Sequence, residues 1–344
     1  MRDRGGSLEM HATAEHVRSA ASAADERTRS SAPAAIELVG ATKDYGRGRG
    51  IFDVSFSVQP GEVVGFLGAN GAGKTVTMRS LMGFIKLGAG SARIDGLDCF
   101  TERARIQATC GYLPGEVTCP PDMRGRDFIR FVADLKGIRD RARIDDLVER
   151  FELDLSARIG RMSKGTKQKV ALVCAFMGAP RVLLLDEPTS GLDPLMQDRF
   201  ADLVRAERRR GAAILLSSHV FPEVERVCDR VVFIRAGKLR GALPLREVQA
   251  SRKRLFTVAF ADAAECARYR TAHRLAGAAN AGDDATATVE VAGAVDAFVK
   301  DLAGYRIADL TMREQPLEEL FRHIYERDDA ASPRPLDPET EARA

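Results

Sequence analysis

The sequence contains no tryptophan and few aromatic residues, which make up 6% of its 344 positions. Six cysteines are present, but no two form a Cys-x-x-Cys pair, and cysteine and histidine nowhere have the spacing of a zinc site. Neither a disulfide framework nor a zinc module is therefore expected. We infer a reducing, cytosolic setting for the chain.

Long hydrophobic runs are also lacking. A membrane-spanning helix needs about 18 or more consecutive apolar residues, and the most apolar region, 170–185, is interrupted by Pro180 and Arg181. Residues 1–33 have no apolar core, so no secretory signal is expected. A transit peptide is the alternative, which their acidic residues disfavour. We expect this extension and the polar tail at 329–344 to be disordered, because neither can bury enough apolar surface.

The charge shows no strong excess of one sign. Lysine and arginine total 52 against 49 aspartate and glutamate, and the net charge is +3. Such a balance argues against a nucleic-acid partner. The basic cluster at 205–211 is interpreted as a solvated helix end, where cations suit the helix dipole.

The remaining sequence alternates between strand-like and helical patterns. The apolar run within 62–68 is typical of a buried strand in a parallel sheet, and 181–188 ("RVLLLDEP") predicts another. Helical spacing covers 75–86, and "DPLMQDRFADLVRAERRRG" has Asp193 as N-cap and Gly211 just past its end. This order predicts an α/β domain over 34–245 with a helical subdomain at about 116–180.

The pattern changes after about residue 245. Strand-like and helical segments there predict a small α+β accessory domain at 250–328. The helical segments include "GAVDAFVKDLAG" and "PLEELFRHIYER", of which the second lies at 316–327.

One motif points directly to chemistry. "GANGAGKT" matches G-x-x-x-x-G-K-[ST] in full, follows a predicted buried strand and opens a predicted helix. Its backbone amides and the helix N-terminus are expected to face phosphates. Lys74 supplies a cation for the β- and γ-phosphates, and the Thr75 hydroxyl can bind Mg²⁺. The alternative is a glycine-rich turn that binds nothing. The predicted nucleotide-binding residues here are Gly68, Ala69, Asn70, Gly71, Ala72, Gly73, Lys74 and Thr75.

Two adjacent acids end the second buried strand. Asp186 is placed at the carboxyl edge of a parallel sheet, where such folds bind ligands, and suits Mg²⁺. Glu187 is placed to accept a proton from an attacking water. The alternative interpretation is an ordinary polar strand end.

With these motifs in this order, residues 36–245 resemble the nucleotide-binding subunit of ABC transporters. The segment "MSKGTKQK" (162–169, the signature segment) resembles the family signature, and "SGLD" (190–193) resembles the loop after the catalytic glutamate. The resemblance implies a P-loop NTPase fold of the ABC type, with ATP and Mg²⁺ as cofactors and ATP hydrolysis as the activity.

The resemblance also implies roles for residues outside the phosphate motif. Tyr45 would stack on adenine, and His219 would contact the γ-phosphate beside Lys74 and Glu187. Ser163 and Gly165 would bind the nucleotide of the opposite subunit, with two ATP molecules held between the two heads of a dimer. The alternatives are a strand-end aromatic for Tyr45, a plain N-cap for Ser163 and a hydrogen-bonded loop residue for His219.

Two departures from the family pattern stand out. Lys164 and Thr166 occupy positions where the signature has Gly and Gln. Lys164 either adds a cation beside the opposite nucleotide or points to solvent. In "CGYLPGEVTCP", Gly115 occupies the position of a Gln that contacts Mg²⁺ and water. We hypothesise that Glu116 partly replaces it as a metal contact, the alternative being that water fills the position.

The function that follows from the resemblance is an ATPase that powers an ABC transporter. We expect a homodimer, a membrane permease on a separate chain and a position on the cytoplasmic face of the cell membrane. The Ser-Lys-Gly form of the signature and the segment "REQPLEELFRHIYER" (313–327) resemble the daunorubicin-resistance-like, ABC-2 branch. This resemblance implies export of drug-like or lipid-like compounds. The alternatives are a soluble ABC ATPase acting in translation or repair, and a regulatory module that binds nucleotide without turnover.

Overall fold

The computed structural model describes residues 33–250, 254–273, 285–291 and 295–314. The chain divides into two compact units, which meet along the sequence between Arg246 and Glu247. The tail at 329–344, the helix predicted at 316–327 and all but Pro33 of the extension at 1–33 lie outside the described residues.

Two β-sheets organise the first unit. Four strands form an antiparallel sheet in the order β2-β1-β4-β5, and six form the order β10-β9-β3-β8-β7-β6. In the second sheet every neighbouring pair is parallel except β10 with β9. The strands are β1 Ile36–Asp44, β2 Gly50–Val58, β3 Val63–Leu67, β4 Ala89–Ile94, β5 Leu97–Asp98, β6 Gly111–Leu113, β7 Val182–Asp186, β8 Ala213–Ser218, β9 Arg230–Arg235 and β10 Lys238–Pro244.

The central strands of the six-stranded sheet are apolar because both of their faces are covered. Every residue of β3, β7 and β8 is buried, which is typical of parallel strands in α/β folds. Because β8 lies between β3 and β7, the carboxyl ends of all three strands meet at one edge of the sheet. The α/β prediction for this part of the chain is confirmed, and this edge carries both predicted motifs.

Helices connect these strands, and three of them fill the stretch between β6 and β7, where a helical subdomain was predicted. Within the described residues, no helix combines the length and apolarity needed to cross a bilayer. A short 3₁₀ turn covers Ile159–Arg161. The helices are α1 Lys74–Leu81, α2 Arg103–Thr109, α3 Gly125–Leu135, α4 Arg141–Arg150, α5 Lys164–Phe176, α6 Pro194–Arg209, α7 Phe221–Glu225 and α8 Leu245–Ala250.

Helix α1 is shorter than the spacing over 75–86 predicts. It ends at Leu81 because Gly83 adopts a left-handed backbone conformation with φ of +69°. The Phe84 amide then donates to the carbonyl of Arg79 at 2.9 Å, which closes the helix end. Phe84 is left 55% exposed at the surface.

Helix α6 has the ends that its sequence predicts. The Asp193 carboxylate accepts a hydrogen bond from the Met196 amide at 3.0 Å, Pro194 is the first helical residue, and Gly211 follows the helix with φ of +94°. Arg208 is exposed in the last turn and pairs with Asp229 at 2.5 Å. The basic cluster is thus an ion-paired helix end.

The second unit is a small α+β structure. Its strands β11 Arg254–Phe260, β12 Thr286–Val291 and β13 Ile307–Glu314 form an antiparallel sheet in the order β12-β11-β13. Helices α9 Ala263–Ala272 and α10 Val295–Leu302 bury apolar side chains in its core. The weak helical pattern of α9 gave no sequence-based prediction, although Asp262 caps it through the Glu265 amide.

Candidate functional site

The phosphate motif forms the loop between β3 and α1. Gly73 is the N-cap of α1 and has φ of +114°, which glycine adopts without a steric cost. A Cβ on Gly68 would lie 2.4 Å from the carbonyl oxygen of Ile234, so this position also requires glycine. The loop therefore keeps its backbone tightly curled at the N-terminus of a helix, an arrangement suited to binding anions.

Lys74 lies over this loop and is only 5% exposed. Its ammonium donates to the carbonyl of Gly68 at 2.7 Å and lies 3.4 Å from Oε1 of Glu187. The lysine predicted from the motif and the glutamate predicted from β7 are therefore in contact, although 113 positions separate them in the sequence.

Asp186, the last residue of β7, is completely buried. Its Oδ2 accepts a hydrogen bond from the Thr75 hydroxyl at 2.9 Å, and its Oδ1 accepts one from the Ser217 hydroxyl. No cluster of three or more His, Cys, Asp or Glu side chains suited to a metal occurs among the described residues. The Thr75–Asp186 pair fits a Mg²⁺ ion that takes its other ligands from phosphates and water, as Mg²⁺ commonly does.

Glu187 has an unusual backbone, with φ of +50°. Its amide donates to the carbonyl of Ser217 at 3.1 Å. One carboxylate oxygen faces Lys74, and the other lies 2.8 Å from Nδ1 of His219. Left-handed backbone in a residue other than glycine costs free energy and is concentrated at functional sites.

The loop that carries His219 is fixed by its neighbours. The Ser218 hydroxyl donates to the Glu223 carboxylate at 2.8 Å and accepts from the Val220 amide at 2.9 Å. The His219 side chain itself is 51% exposed. It can therefore reach a ligand while it remains against Glu187.

Lys74, Thr75 and Glu187 line one cleft of about 550 Å³, and Asp186 and His219 contact its lining residues. Tyr45 is 49% exposed and lies in its wall, as does Arg49, which the sequence did not single out. The cleft is lined by Tyr45, Arg49, Gly50, Ala69, Asn70, Gly71, Gly73, Lys74, Thr75, Val76, Gly115, Glu116 and Glu187.

The stretch after β6 enters this cleft beside Asp186. A Cβ on Gly115 would lie 3.0 Å from Oδ2 of Asp186, so the glycine allows the loop to pass close to the carboxylate. Glu116 is exposed in the cleft wall. Burial, and then the charge of Asp186, raises the pKa of the Tyr112 phenol to about 12, which keeps this neighbour uncharged.

The first residues of the signature segment form the N-terminus of α5. Ser163 is the N-cap of α5, and its hydroxyl accepts a hydrogen bond from the Thr166 amide at 3.1 Å. Gly165 packs so closely that an added Cβ would lie 2.4 Å from the carbonyl oxygen of Gly191. Neither Ser163 nor Gly165 lines the cleft that contains Lys74, and Lys164 is exposed.

Comparison with known proteins agrees with this geometry. Residues 51–190 match the protein family described as ABC transporter. The chain is 36% identical over 203 residues to the ABC transporter ATP-binding protein NatA of Bacillus subtilis, covering 57% of this chain and 82% of NatA.

The chain belongs to the ABC transporter family.

Two further similarities support the assignment. The chain is 34% identical over 210 residues to the doxorubicin resistance ATP-binding protein DrrA of Mycobacterium tuberculosis, covering 59% of this chain and 63% of DrrA. It superposes with a TM-score of 0.59 and 30% identity on a solved ATP-binding subunit of an ABC transporter, covering 62% of this chain and 91% of that one. This ABC protein is accordingly an ATP-binding subunit, an ATPase that powers a membrane transporter.

Apart from Arg49, two residues of this ABC subunit that contact the site residues escaped the sequence analysis. Ser217 holds Asp186, and Gln168 holds the backbone that follows Asp186 through its side-chain amide. A polar residue at the end of an apolar strand was the available signal for Ser217. Gln168 lies inside the signature segment, where its spacing alone does not reveal a partner 19 residues away.

The close approach of Gly115 to Asp186 leads to a testable expectation. Gly115→Ala should lower the ATPase kcat by roughly threefold to tenfold, because the new methyl group must displace either the loop or a carboxylate held by Thr75 and Ser217. Steady-state phosphate release measures this. Gly241→Ala is the matched control, since no atom lies within 4 Å of its added Cβ. A wild-type kcat in Gly115→Ala would contradict this expectation, because it would show that the loop can move away from Asp186 without loss of activity.

Proposed function

We propose that Glu187 is the general base that activates water for attack on the γ-phosphate of ATP. The observation that carries this proposal is the position of its carboxylate, between Lys74 at 3.4 Å and His219 at 2.8 Å in the same cleft as the phosphate loop. A base at this point can take a proton from water while the two neighbouring groups stabilise charge on the phosphate.

The cleft suggests how ATP lies in it. The phosphates would bind to the backbone amides of the loop from Gly68 to Thr75, with Lys74 moving from the Gly68 carbonyl to the β- and γ-phosphates. Tyr45, half exposed in the same wall, would stack on adenine. Arg49 lies beside it in the wall and would add a cation near the nucleotide.

We propose that Thr75 and Asp186 hold Mg²⁺. Their oxygens already point at each other across 2.9 Å, and Ser217 orients the far oxygen of the carboxylate. When bound there, Mg²⁺ would supply positive charge that offsets the negative charge developing on the phosphates. Glu116, exposed in the cleft wall, would supply an additional carboxylate in place of the Gln that the family has at position 115.

We propose that two copies of the chain complete each other's sites. Ser163 and Gly165 belong to the signature segment but do not line the cleft of their own chain. Ser163 caps the N-terminus of a 13-residue helix with no acidic residue in its first turn, a combination that attracts phosphate. A second copy could therefore place Ser163 and Lys164 over the nucleotide bound at Lys74.

We propose that residues 34–245 work with a separate permease on the cytoplasmic face of the membrane. Phe84 and Tyr112 form an edge-to-face pair with centroids 5.8 Å apart, and Phe84 is 55% exposed next to the strand that leads to Gly115. A partner that packs on Phe84 would be connected through Tyr112 to Gly115, which lies beside Asp186.

We propose that the second unit, which begins at Glu247, contains an accessory domain at 250–328.

The direction of transport is proposed from a relative. DrrA is named for doxorubicin resistance, and export of drug-like or lipid-like compounds is the corresponding proposal for this chain.

The role of Glu187 is tested by Glu187→Gln, which keeps size and polarity but removes the base. The kcat for ATP hydrolysis should fall by at least about 100-fold, while ATP affinity changes by less than about threefold. Phosphate release and titration calorimetry measure the two quantities. With ATP bound and not hydrolysed, the variant should sediment as a dimer.

Glu152→Gln is the control for that substitution. Glu152 has the same φ of +50° and an ion pair with Arg199, but it does not line the cleft. Hydrolysis by Glu187→Gln at the rate of Glu152→Gln would remove Glu187 from the catalytic role.

The proposed metal site is tested by Ser217→Ala, which removes a hydrogen bond to Asp186. The Mg²⁺ concentration that gives half-maximal ATPase activity should rise by about tenfold, because partners of metal-binding carboxylates tune affinity by 10- to 100-fold. Ser80→Ala is the control, since the buried Ser80 hydroxyl donates to the Val76 carbonyl in its own helix.

The same titration decides the role of Glu116. Glu116→Ala should raise the half-maximal Mg²⁺ concentration by about threefold if its carboxylate approaches the metal. A Mg²⁺ titration curve of Glu116→Ala that overlays the wild-type curve would indicate that water, and not Glu116, occupies the contact position.

The proposed interaction with a permease is tested by affinity purification from membranes. The tagged wild-type chain should retain an integral membrane protein, and Phe84→Asp should release it because a charge would enter an apolar contact. Co-purification with ribosomes in place of a membrane protein would favour a soluble ABC ATPase instead.

A further inference from the structure

Gln168 is a buried polar residue of the helix that begins beside Ser163. Its side chain is 3% exposed and lies in α5, five positions after the N-cap. The amide nitrogen donates to two consecutive carbonyl oxygens, that of Glu187 at 3.2 Å and that of Pro188 at 3.0 Å. A buried amide that donates both of its hydrogens to one short segment fixes that segment strongly.

The segment that Gln168 fixes is strained. Glu187 has φ of +50°, and such a conformation persists in a residue other than glycine only where the surroundings hold it. The Ser217 carbonyl holds the Glu187 amide at 3.1 Å, while Gln168 and the Ser190 amide hold the Glu187 carbonyl. Without Gln168, the peptide groups on both sides of Pro188 lose a donor, and Glu187 can rotate away from Lys74 and His219.

The other end of the connection is the signature segment. Ser163 and Gln168 are five residues apart in one α-helix, a rise of about 7.5 Å along a rigid element. Gly165, between them, packs against the Gly191 carbonyl of the loop that follows Glu187. A shift of the helix N-terminus would therefore be passed to both ends of the turn that presents the glutamate.

We propose that Gln168 is a positioning residue that holds the carboxylate of Glu187 in place for hydrolysis and couples it to the N-terminus of α5. In each subunit, contact between Ser163 and the nucleotide bound by the other subunit would shift α5. That shift would change the position of Glu187 at the subunit's own nucleotide. The inference rests on the roles of Glu187 and Ser163 proposed above.

The test is Gln168→Met, which keeps length and volume but removes the donor. The kcat for ATP hydrolysis should fall by on the order of 10- to 100-fold, as small displacements of catalytic groups do, while the KM for ATP stays within about twofold. Gln107→Met is the matched control. Gln107 donates to the Met82 carbonyl at 2.9 Å, outside the cleft, and its kcat should remain within about twofold of the wild type.

A second comparison separates positioning from general damage to the fold. In the Glu187→Gln background, Gln168→Met should cause no further loss of kcat, because two residues that act as a unit are not additive. A loss of full size in that background, or an equal loss in kcat and ATP affinity, would overturn the proposal. A wild-type kcat in the Gln168→Met variant would also overturn the proposal.

A further variant covers the case in which Gln168→Met does not fold. Gln168→Glu keeps the shape but presents acceptor oxygens to the carbonyls of Glu187 and Pro188, and the same loss of kcat at unchanged KM is expected. Unfolding of both variants would assign Gln168 to the fold and overturn the positioning role. If Glu187→Gln retains hydrolysis, the proposed function fails. If Glu187→Gln is inactive but Gln168→Met matches Gln107→Met, only the coupling inference fails.

Discussion

The structure depends on one constrained carboxylate. Glu187 is held in a left-handed backbone conformation, with Lys74 on one side and His219 on the other. Each of these contacts costs entropy and desolvation that only a surrounding scaffold can offset. Three buried parallel strands supply that scaffold, because β3, β8 and β7 end at one edge of the sheet. The phosphate loop, the loop that carries His219 and the acidic pair Asp186–Glu187 consequently contact one another.

The two acids at the end of β7 have different surroundings, and this difference suits different chemistry. Asp186 is buried and accepts hydrogen bonds from the hydroxyls of Thr75 and Ser217, so its orientation is fixed. Glu187 lies in the cleft wall beside a half-exposed histidine, where water can enter. A buried, oriented carboxylate suits a metal, and an accessible one suits proton transfer.

The structural elements that could be predicted from the sequence are those that depend on local sequence patterns. The glycine loop, the strand that ends in Asp186 and the capped helix after Asp193 all follow from short-range signals, and the structure has each of them. The sequence could not predict Ser217 or Gln168, because their partners lie 31 and 19 to 20 residues away and depend on how strands and helices pack. Helix α1 ends early for a related reason: the apolar spacing continues to residue 86, but the left-handed Gly83 turns the chain first.

The stretch at Gly115 departs from the family pattern for a structural reason. The residue that would carry a side-chain amide elsewhere in the family is here a glycine, and the close approach of its backbone to Asp186 uses the space that a side chain would need. The next residue, Glu116, lies in the cleft wall instead. The loop, Asp186 and the pair formed by the exposed Phe84 and the half-buried Tyr112 thus lie close together in the first unit.

We propose that Glu187 acts on a nucleotide that is bound at Lys74 and covered by a second copy of the chain. A crystal structure of the Glu187→Gln variant with MgATP tests this arrangement. We expect the γ-phosphate within hydrogen-bond distance of Lys74, a water between that phosphate and the side chain at position 187, and Ser163 of a second copy on the opposite side. A nucleotide bound away from Lys74, or a bound nucleotide with Ser163 facing solvent, would contradict it.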